Sequence, residues 1–210
     1  MIAIVDYGLG NLRSAQKGLE RAGQRAVITD DPDQIARADG VVLPGVGAFK
    51  DCYDGLVGAG LAEPVKAAAA SGRPFLGICV GLQLLFDYSE EGEGSPGLSV
   101  LPGRVVRFPD GRETGLKVPH MGWNRVQTVS GRACPLLAPG DSPYAYFVHS
   151  YFAQPEDASH VLATSEHGIA FPAIVGCGNV IAVQFHPEKS QAAGIGILEA
   201  FGKLVRGAAA

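Results

Sequence analysis

Among four cysteines, five histidines and 21 carboxylates, one pair of short segments has the chemistry of a nucleophilic site. Gly77-Ile78-Cys79-Val80-Gly81-Leu82-Gln83 sets a thiol between two glycines, after the apolar run Pro74-Phe75-Leu76 and before a helical pattern. His186-Pro187-Glu188 sets an imidazole and a carboxylate two residues apart, at the end of the apolar run Val180 to Phe185. A thiol that attacks a carbonyl needs a base, and the base needs a partner to orient it. These two segments carry one of each.

Gly-x-Cys-x-Gly has the form of a strand-to-helix elbow that presents a nucleophile on a sharp turn. The helix start beyond it favours the thiolate through its dipole, and the amide of Val80 would point at a developing oxyanion. An ordinary buried cysteine at a strand end gives the same pattern, so the elbow alone decides nothing. His186-Pro187-Glu188 shifts the balance. Side chains two apart in extended chain share a side, and Pro187 keeps His186 extended. Leu43-Pro44-Gly45-Val46-Gly47-Ala48 leaves another strand end with glycines that free backbone amides. Gly45, Val46 and Gly47 are therefore candidates for the second half of an oxyanion site, against the plainer reading of a turn. Gln83, about one helical turn after Cys79, has an amide to offer a polar substrate. Cys52, Cys134 and Cys177 lack an obvious base. His120, His149, His160 and His167 show no ligand spacing and read as structural or surface residues; no metal or cofactor is implied.

The elements that must position these groups are legible in outline. Ile2 to Val5, Arg25 to Thr29, Gly40 to Leu43 and Phe75 to Ile78 read as strands. Helical spacing marks Leu12, Ala15, Leu19 and Ala22, with Asn11 as a cap, and also Leu61 to Ala70 and Val80 to Phe86. The second half is mostly strand-like, from Val100 to Phe108 and Arg125 to Val129 through Tyr144 to Phe152 and on to Val180 to Phe185. Ser89 to Gly97 reads as an acidic surface loop, and Ile195, Leu198, Phe201 and Val205 mark a closing helix. The expected class is α/β: an open, largely parallel sheet with helices on both faces and antiparallel additions in the C-terminal half. Ligands gather outside the carboxyl ends of such strands, where both the elbow and His186 would lie.

Bulk properties narrow the classes. Residues 1–210 suit a single domain. Net charge is −4 and charged residues make up 18%, without a basic block, which argues against nucleic acid and anionic membrane as partners. No apolar stretch would span a bilayer. The first residues read as a strand rather than a signal helix, and the cysteines show no disulfide spacing, so a reduced, cytoplasmic compartment is expected.

The sequence resembles the class I (triad) glutamine amidotransferases over essentially its whole length. Gly77 to Gln83 matches their cysteine elbow, Pro44 to Gly47 their oxyanion loop, and His186 with Glu188 their His-x-Glu pair. Asp6 to Leu12, Leu43 to Phe49, Pro119 to Asn124, Tyr146 to Tyr151 and Phe185 to Ser190 look, in combination, like the family of glutaminase subunits of imidazole glycerol phosphate synthases. That resemblance implies hydrolysis of glutamine by Cys79, His186 and Glu188. It also implies a heterodimer with a (β/α)₈ cyclase subunit that takes up the ammonia. It sets the backbone of His149, Ser150 and Tyr151 beside the glutamine, and Asn11, Trp123 and Lys189 on or near the docking face. From the residues alone, Trp123 reads equally as a core aromatic, Asn11 as a helix cap and Lys189 as a solvated charge. Three other readings stay open at this level: the glutaminase subunit of a different synthase, a stand-alone cysteine hydrolase, and a non-catalytic module of the same fold.

Overall fold

A computed structural model describes residues 1–109 and 115–208. In chain order its strands and helices are β1 (Ile2–Val5), α1 (Leu12–Arg21), β2 (Ala26–Thr29), α2 (Pro32–Arg37), β3 (Gly40–Gly45), α3 (Phe49–Gly58), α4 (Ala62–Ala70), β4 (Phe75–Cys79) and α5 (Val80–Gln83). The second half adds β5 (Tyr88–Ser89), β6 (Ser95–Pro96), β7 (Gly103–Arg107), β8 (His120–Arg125), β9 (Gln127–Thr128), β10 (Tyr144–His149) and β11 (Tyr151–Pro155). It ends with β12 (Val161–His167), β13 (Ile169–Cys177), β14 (Val180–Val183) and α6 (Gln191–Ala208).

The main sheet has eight strands in the order β2-β1-β3-β4-β14-β13-β12-β9. β2, β1, β3, β4 and β14 run parallel, and β13, β12 and β9 extend it antiparallel. β1, β3, β4 and β14 are buried along their whole length. This is why Ile-Ala-Ile-Val and Val-Ile-Ala-Val read as unbroken apolar runs: a parallel strand is covered on both faces. Crossovers between parallel strands are right-handed. The chain moves one way across the sheet from β1 to β2 and the other way from β2 to β3, so α1 and α2 fall on opposite faces. The packing follows, with α1 against α6 and α2 against α4.

β3, β4 and β14 are therefore neighbours in the middle of the sheet, and all three end at the same rim. Gly45 is paired with Cys79, and Val183 with Ile78. The rest of the second half forms a two-stranded ribbon, β8 with β10, and a four-stranded sheet in the order β11-β7-β5-β6. The ribbon is tied to the histidine segment. The His186 amide donates to the Tyr146 carbonyl at 2.9 Å, and the Tyr146 amide donates to Ser190 Oγ at 2.9 Å.

Several local expectations need correction. Tyr144 to Phe152 is not one strand; it breaks at Ser150 into β10 and β11, which belong to different sheets. The helix after Cys79 stops at Gln83. The carbonyls of Leu84, Leu85 and Phe86 accept instead from the amides of Leu98, Val100 and Ser99, which draws them out of helical register. Ser89 to Gly97 is not a free loop, since its ends pair as β5 and β6. Asn11 stands at the start of α1 without a side-chain capping bond.

Gly81 shows how tightly the elbow is seated on β3. A Cβ added there would lie 1.9 Å from the Leu43 carbonyl oxygen, which is backbone and cannot yield as a side chain could. Gly81→Ala should therefore cost on the order of 3 kcal/mol by overpacking. Urea unfolding reads this as a lower midpoint, and an unchanged midpoint would mean that α5 is free to lift off the sheet.

Candidate active site

Cys79 is the last residue of β4 and takes φ 55° and ψ −111°, a backbone conformation that costs a non-glycine residue about 1–3 kcal/mol. Such strain persists where the surroundings over-determine it, and here β3, β14 and α5 all press on the turn. The thiol is buried, with 4% of the residue exposed. His186 follows β14, the strand next to β4, and is equally enclosed.

His186 Nδ1 lies 2.8 Å from Glu188 Oε1, and both side chains are 2% exposed. Cys79 and His186 line the same cavity, and Cys79 acts on the ring electrostatically, so sulfur, imidazole and carboxylate are gathered at one place. Burial alone would disfavour the imidazolium. Its interactions with Cys79 and Glu188 outweigh burial and raise His186 from 6.5 to about 9. α5 is a single turn, so its dipole adds little at the sulfur. Asn11 Nδ2 lies 3.5 Å from Glu188 Oε1, while Glu188 Oε2 is buried without a hydrogen-bond partner among the described residues. The carboxylate is thus committed to the ring.

A cavity of about 320 Å³ opens over this file. Its lining includes Val46, Gly47, Val80, Gln83, His149, Ser150, Tyr151 and Lys189 together with Cys79 and His186, so the elements expected to converge do so. Gly45 lies just behind the lining; a Cβ there would meet the Gly81 nitrogen at 2.8 Å. Gly47 has φ +94°, which permits the turn that brings its backbone to the rim. Two buried side chains fix this loop from behind. Tyr7 donates to the Pro44 carbonyl at 2.7 Å, and the Cys52 thiol donates to the Val46 carbonyl at 3.3 Å. Gln83 does not project freely into the cavity: its Nε2 donates to the Tyr151 carbonyl at 3.0 Å and to Gln184 Oε1 at 3.2 Å.

Trp123 is no core aromatic, being 47% exposed on β8 beside Met121 at 61%, with Tyr144 at 55% on β10. Trp123 meets the Tyr146 ring edge-on at 6.1 Å, and Lys189 Nζ sits 6.0 Å from the same ring. Residue-by-residue reading missed Glu91, Gln184 and the loop-fixing pair Tyr7 and Cys52. Glu91 lines the cavity and its carboxylate accepts from the Phe49 amide at 2.7 Å. It sits in an acidic, glycine-rich stretch that reads as solvent-facing, and only the pairing of β5 with β6 and β7 turns it inward. All four cysteines are free thiols. Among the described residues no group of three or more metal-ligating side chains converges, and no helix is long and apolar enough to cross a membrane.

The family model for class-I glutamine amidotransferases matches residues 3–202, and this chain belongs to that class. Within it the chain belongs to the family of imidazole glycerol phosphate synthase subunit HisH. It is 56% identical over 208 residues to the subunit of that name from Syntrophotalea carbinolica, covering 97% of this chain and 100% of the relative. It is 53% identical to that of Geobacter metallireducens, covering 95% and 96%. Among solved structures, a crystal structure of a glutamine amidotransferase superposes with a TM-score of 0.74 at 20% identity, covering 98% of this chain and 100% of the other. A glutamine amidotransferase from Thermotoga maritima gives 0.65 at 18% identity, covering 97% of each chain. These two likenesses establish the fold.

Because the His186 ring is raised to about 9 in the folded chain, its stabilising contribution is complete below 6.5 and is lost as pH climbs through about 9. Unfolding free energies of this chain and of His186→Gln, compared between about pH 6 and pH 10, should show an advantage that shrinks on the alkaline side. An advantage that grew there would mean a neutral ring.

Proposed function

We propose that this chain, acting as one domain over residues 1–210, is the glutaminase subunit of an imidazole glycerol phosphate synthase. The observation that carries the mechanism is the buried Cys79–His186–Glu188 file at the floor of the cavity. The Cys79 thiolate attacks the side-chain carboxamide carbon of glutamine. Amides of Val80 and of the Gly45-Val46-Gly47 loop receive the oxyanion as charge develops on it. His186 passes its proton to the departing nitrogen, which leaves as ammonia, and a thioester remains. Water, giving its proton to His186, then attacks the thioester and releases glutamate and the thiol. Glu188 holds the ring throughout and balances its charge.

Glu91, Ser150 and Tyr151 line the same cavity as the sulfur and receive the amino-acid end of glutamine in this reading. Glu91 supplies a negative charge suited to the α-ammonium of the amino acid. Gln83 acts less by direct contact than by fixing the Tyr151 carbonyl.

Ammonia in neutral water is mostly ammonium and not nucleophilic, so a synthase that uses it needs enclosed delivery. The exposed Met121, Trp123 and Tyr144 lie on one ribbon directly beside the His186 segment, an apolar patch of the kind that marks a partner surface. That ribbon, with Asn11 and Lys189 nearby, is the face we assign to a (β/α)₈ cyclase subunit in a heterodimer. The setting is reducing and cytoplasmic, so the thiols stay free.

Cys79→Ala should abolish glutamine-dependent synthesis in the assembled complex, while synthesis from added ammonium salt continues. Glutamate release persisting in that variant would remove Cys79 from the chemistry. Glu91→Gln keeps an acceptor for the Phe49 amide but loses the charge. Steady-state kinetics should show the KM for glutamine up about tenfold or more, with the folded fraction unchanged; an unchanged KM would place the α-ammonium elsewhere.

A further inference from the structure

Asn124, His120 and His149 form a hydrogen-bonded file from the exposed ribbon to the cavity wall, and its direction follows from donor chemistry alone. Asn124 Oδ1 accepts from the Arg125 amide at 2.8 Å, and Nδ2 donates to the Glu166 carbonyl at 2.6 Å. Backbone groups on both sides thus fix which way the amide points. The other Nδ2 hydrogen faces His120 Nε2 at 3.1 Å, so that nitrogen must accept. The His120 proton is then on Nδ1, 3.1 Å from His149 Nε2, which accepts in turn. The His149 proton is left on Nδ1, 2.8 Å from the Tyr151 carbonyl. That oxygen also takes the Gln83 bond, and both its lone pairs are used. Gln83 continues to Gln184, whose Nε2 stands 4.0 Å from the Cys79 sulfur.

Neither ring takes a second proton without setting two N–H groups against each other. Phe147 lies 5.0 Å from His120, and Phe108 and Phe171 lie 5.2 Å and 5.1 Å from His149. Burial among them lowers His120 to about 4 and His149 to about 3. The titratable groups facing the pair act the same way: His167 stacks on His120 at 4.4 Å, and the charges of His167 and His186 also oppose protonation of His149.

We propose that His120 and His149 are positioning residues, a neutral strut of fixed hydrogen-bond direction that sets the Tyr151 carbonyl and the Gln83 amide on the substrate side of the cavity. This rests on the glutaminase reading above. The pair moves no proton; it fixes where two polar groups stand. Losing one ring nitrogen leaves a buried acceptor unpaired and lets the Tyr151 peptide turn. The effect falls on glutamine binding, because the side-chain hydrogen bonds of Cys79, His186 and Glu188 involve neither His120 nor His149.

The test uses the synthase assembled with its cyclase. His120→Phe keeps the ring volume without nitrogens and should raise the KM for glutamine about tenfold with kcat within about threefold. Ammonium-dependent synthesis should not change. His120→Asn, whose Nδ2 stands near the ring Nδ1, should recover most of the loss. An unchanged KM, a fall in kcat alone, or an Asn variant as impaired as the Phe variant would overturn the proposal. Independently of any variant folding, nitrogen NMR of the unmodified protein should find both rings neutral with the proton on Nδ1 from about pH 5 to pH 8. A proton on Nε2 of either ring, or titration in that range, would sink it without touching Cys79's role, whereas glutamate release by Cys79→Ala would sink the glutaminase reading instead.

Discussion

A charged imidazole with 2% of its side chain exposed is tolerable only if it is paired, because desolvating an unpaired ion costs several kcal/mol. His186 is paired with Glu188 at 2.8 Å, and its interaction with Cys79 also favours the charged ring. Much of the architecture follows from it. Glu188 is fixed by the short turn Pro187–Lys189 that His186 itself opens. The sulfur must come from a neighbouring strand, and β4 is the parallel neighbour of β14. Side by side, the two strands deliver their ends to one rim without any long excursion of the backbone.

The same requirement explains why the turn at Cys79 is strained and why it stays strained. To reach the imidazole the sulfur has to leave the strand sharply, which drives φ to 55°. What holds it there is the seat beneath α5, where the backbone of Gly81 rests against Leu43 and Gly45 leaves room for the Gly81 nitrogen. A Cβ at either position would lift the turn and with it the thiolate. The glycines flanking the cysteine thus serve the packing of the elbow on β3 and β4 more than access for a substrate. The oxyanion loop shares that footing, since Gly45 both ends β3 and touches the elbow.

Much of this was legible in the residues because parallel strands buried on both faces write themselves as apolar runs, and because glycine and proline punctuate their ends. Cys79, His186 and Glu188 could be picked out since each sits just past such a run. Asn11 shows the limit. Its type and place at the start of α1 favour capping, yet its amide is near Glu188, a contact 177 residues away along the chain that no local rule anticipates. Glu91 shows it again: an acidic, glycine-rich stretch is solvated by default, and only β-pairing over a few residues turns one carboxylate inward. The helix after Cys79 is shorter than its pattern suggests because leucines at helical spacing also suit a segment whose carbonyls are taken by another stretch of chain. The resemblance reached His149 to Tyr151, but the break at Ser150 is a choice between two sheets, and hydrophobic alternation runs through it unaltered.

Three of the histidines near the cavity show why residue type alone does not assign a role. His186 favours the charged form because its interactions with Cys79 and Glu188 outweigh its burial. His120 and His149 favour the neutral form because burial, with neighbouring histidines adding to it, outweighs the Tyr151 carbonyl that favours a cation at His149. Environments that push like groups apart mark distinct duties. A proton carrier must gain and lose its proton within the working range, whereas a positioning group is most useful when it does neither, since its hydrogen-bond direction then stays constant. With charge confined to one ring, proton transfer has one route, between Cys79 and the substrate nitrogen. The neutral pair, one ring on β8 and one on β10, stiffens the wall that carries Tyr151 without competing for that proton.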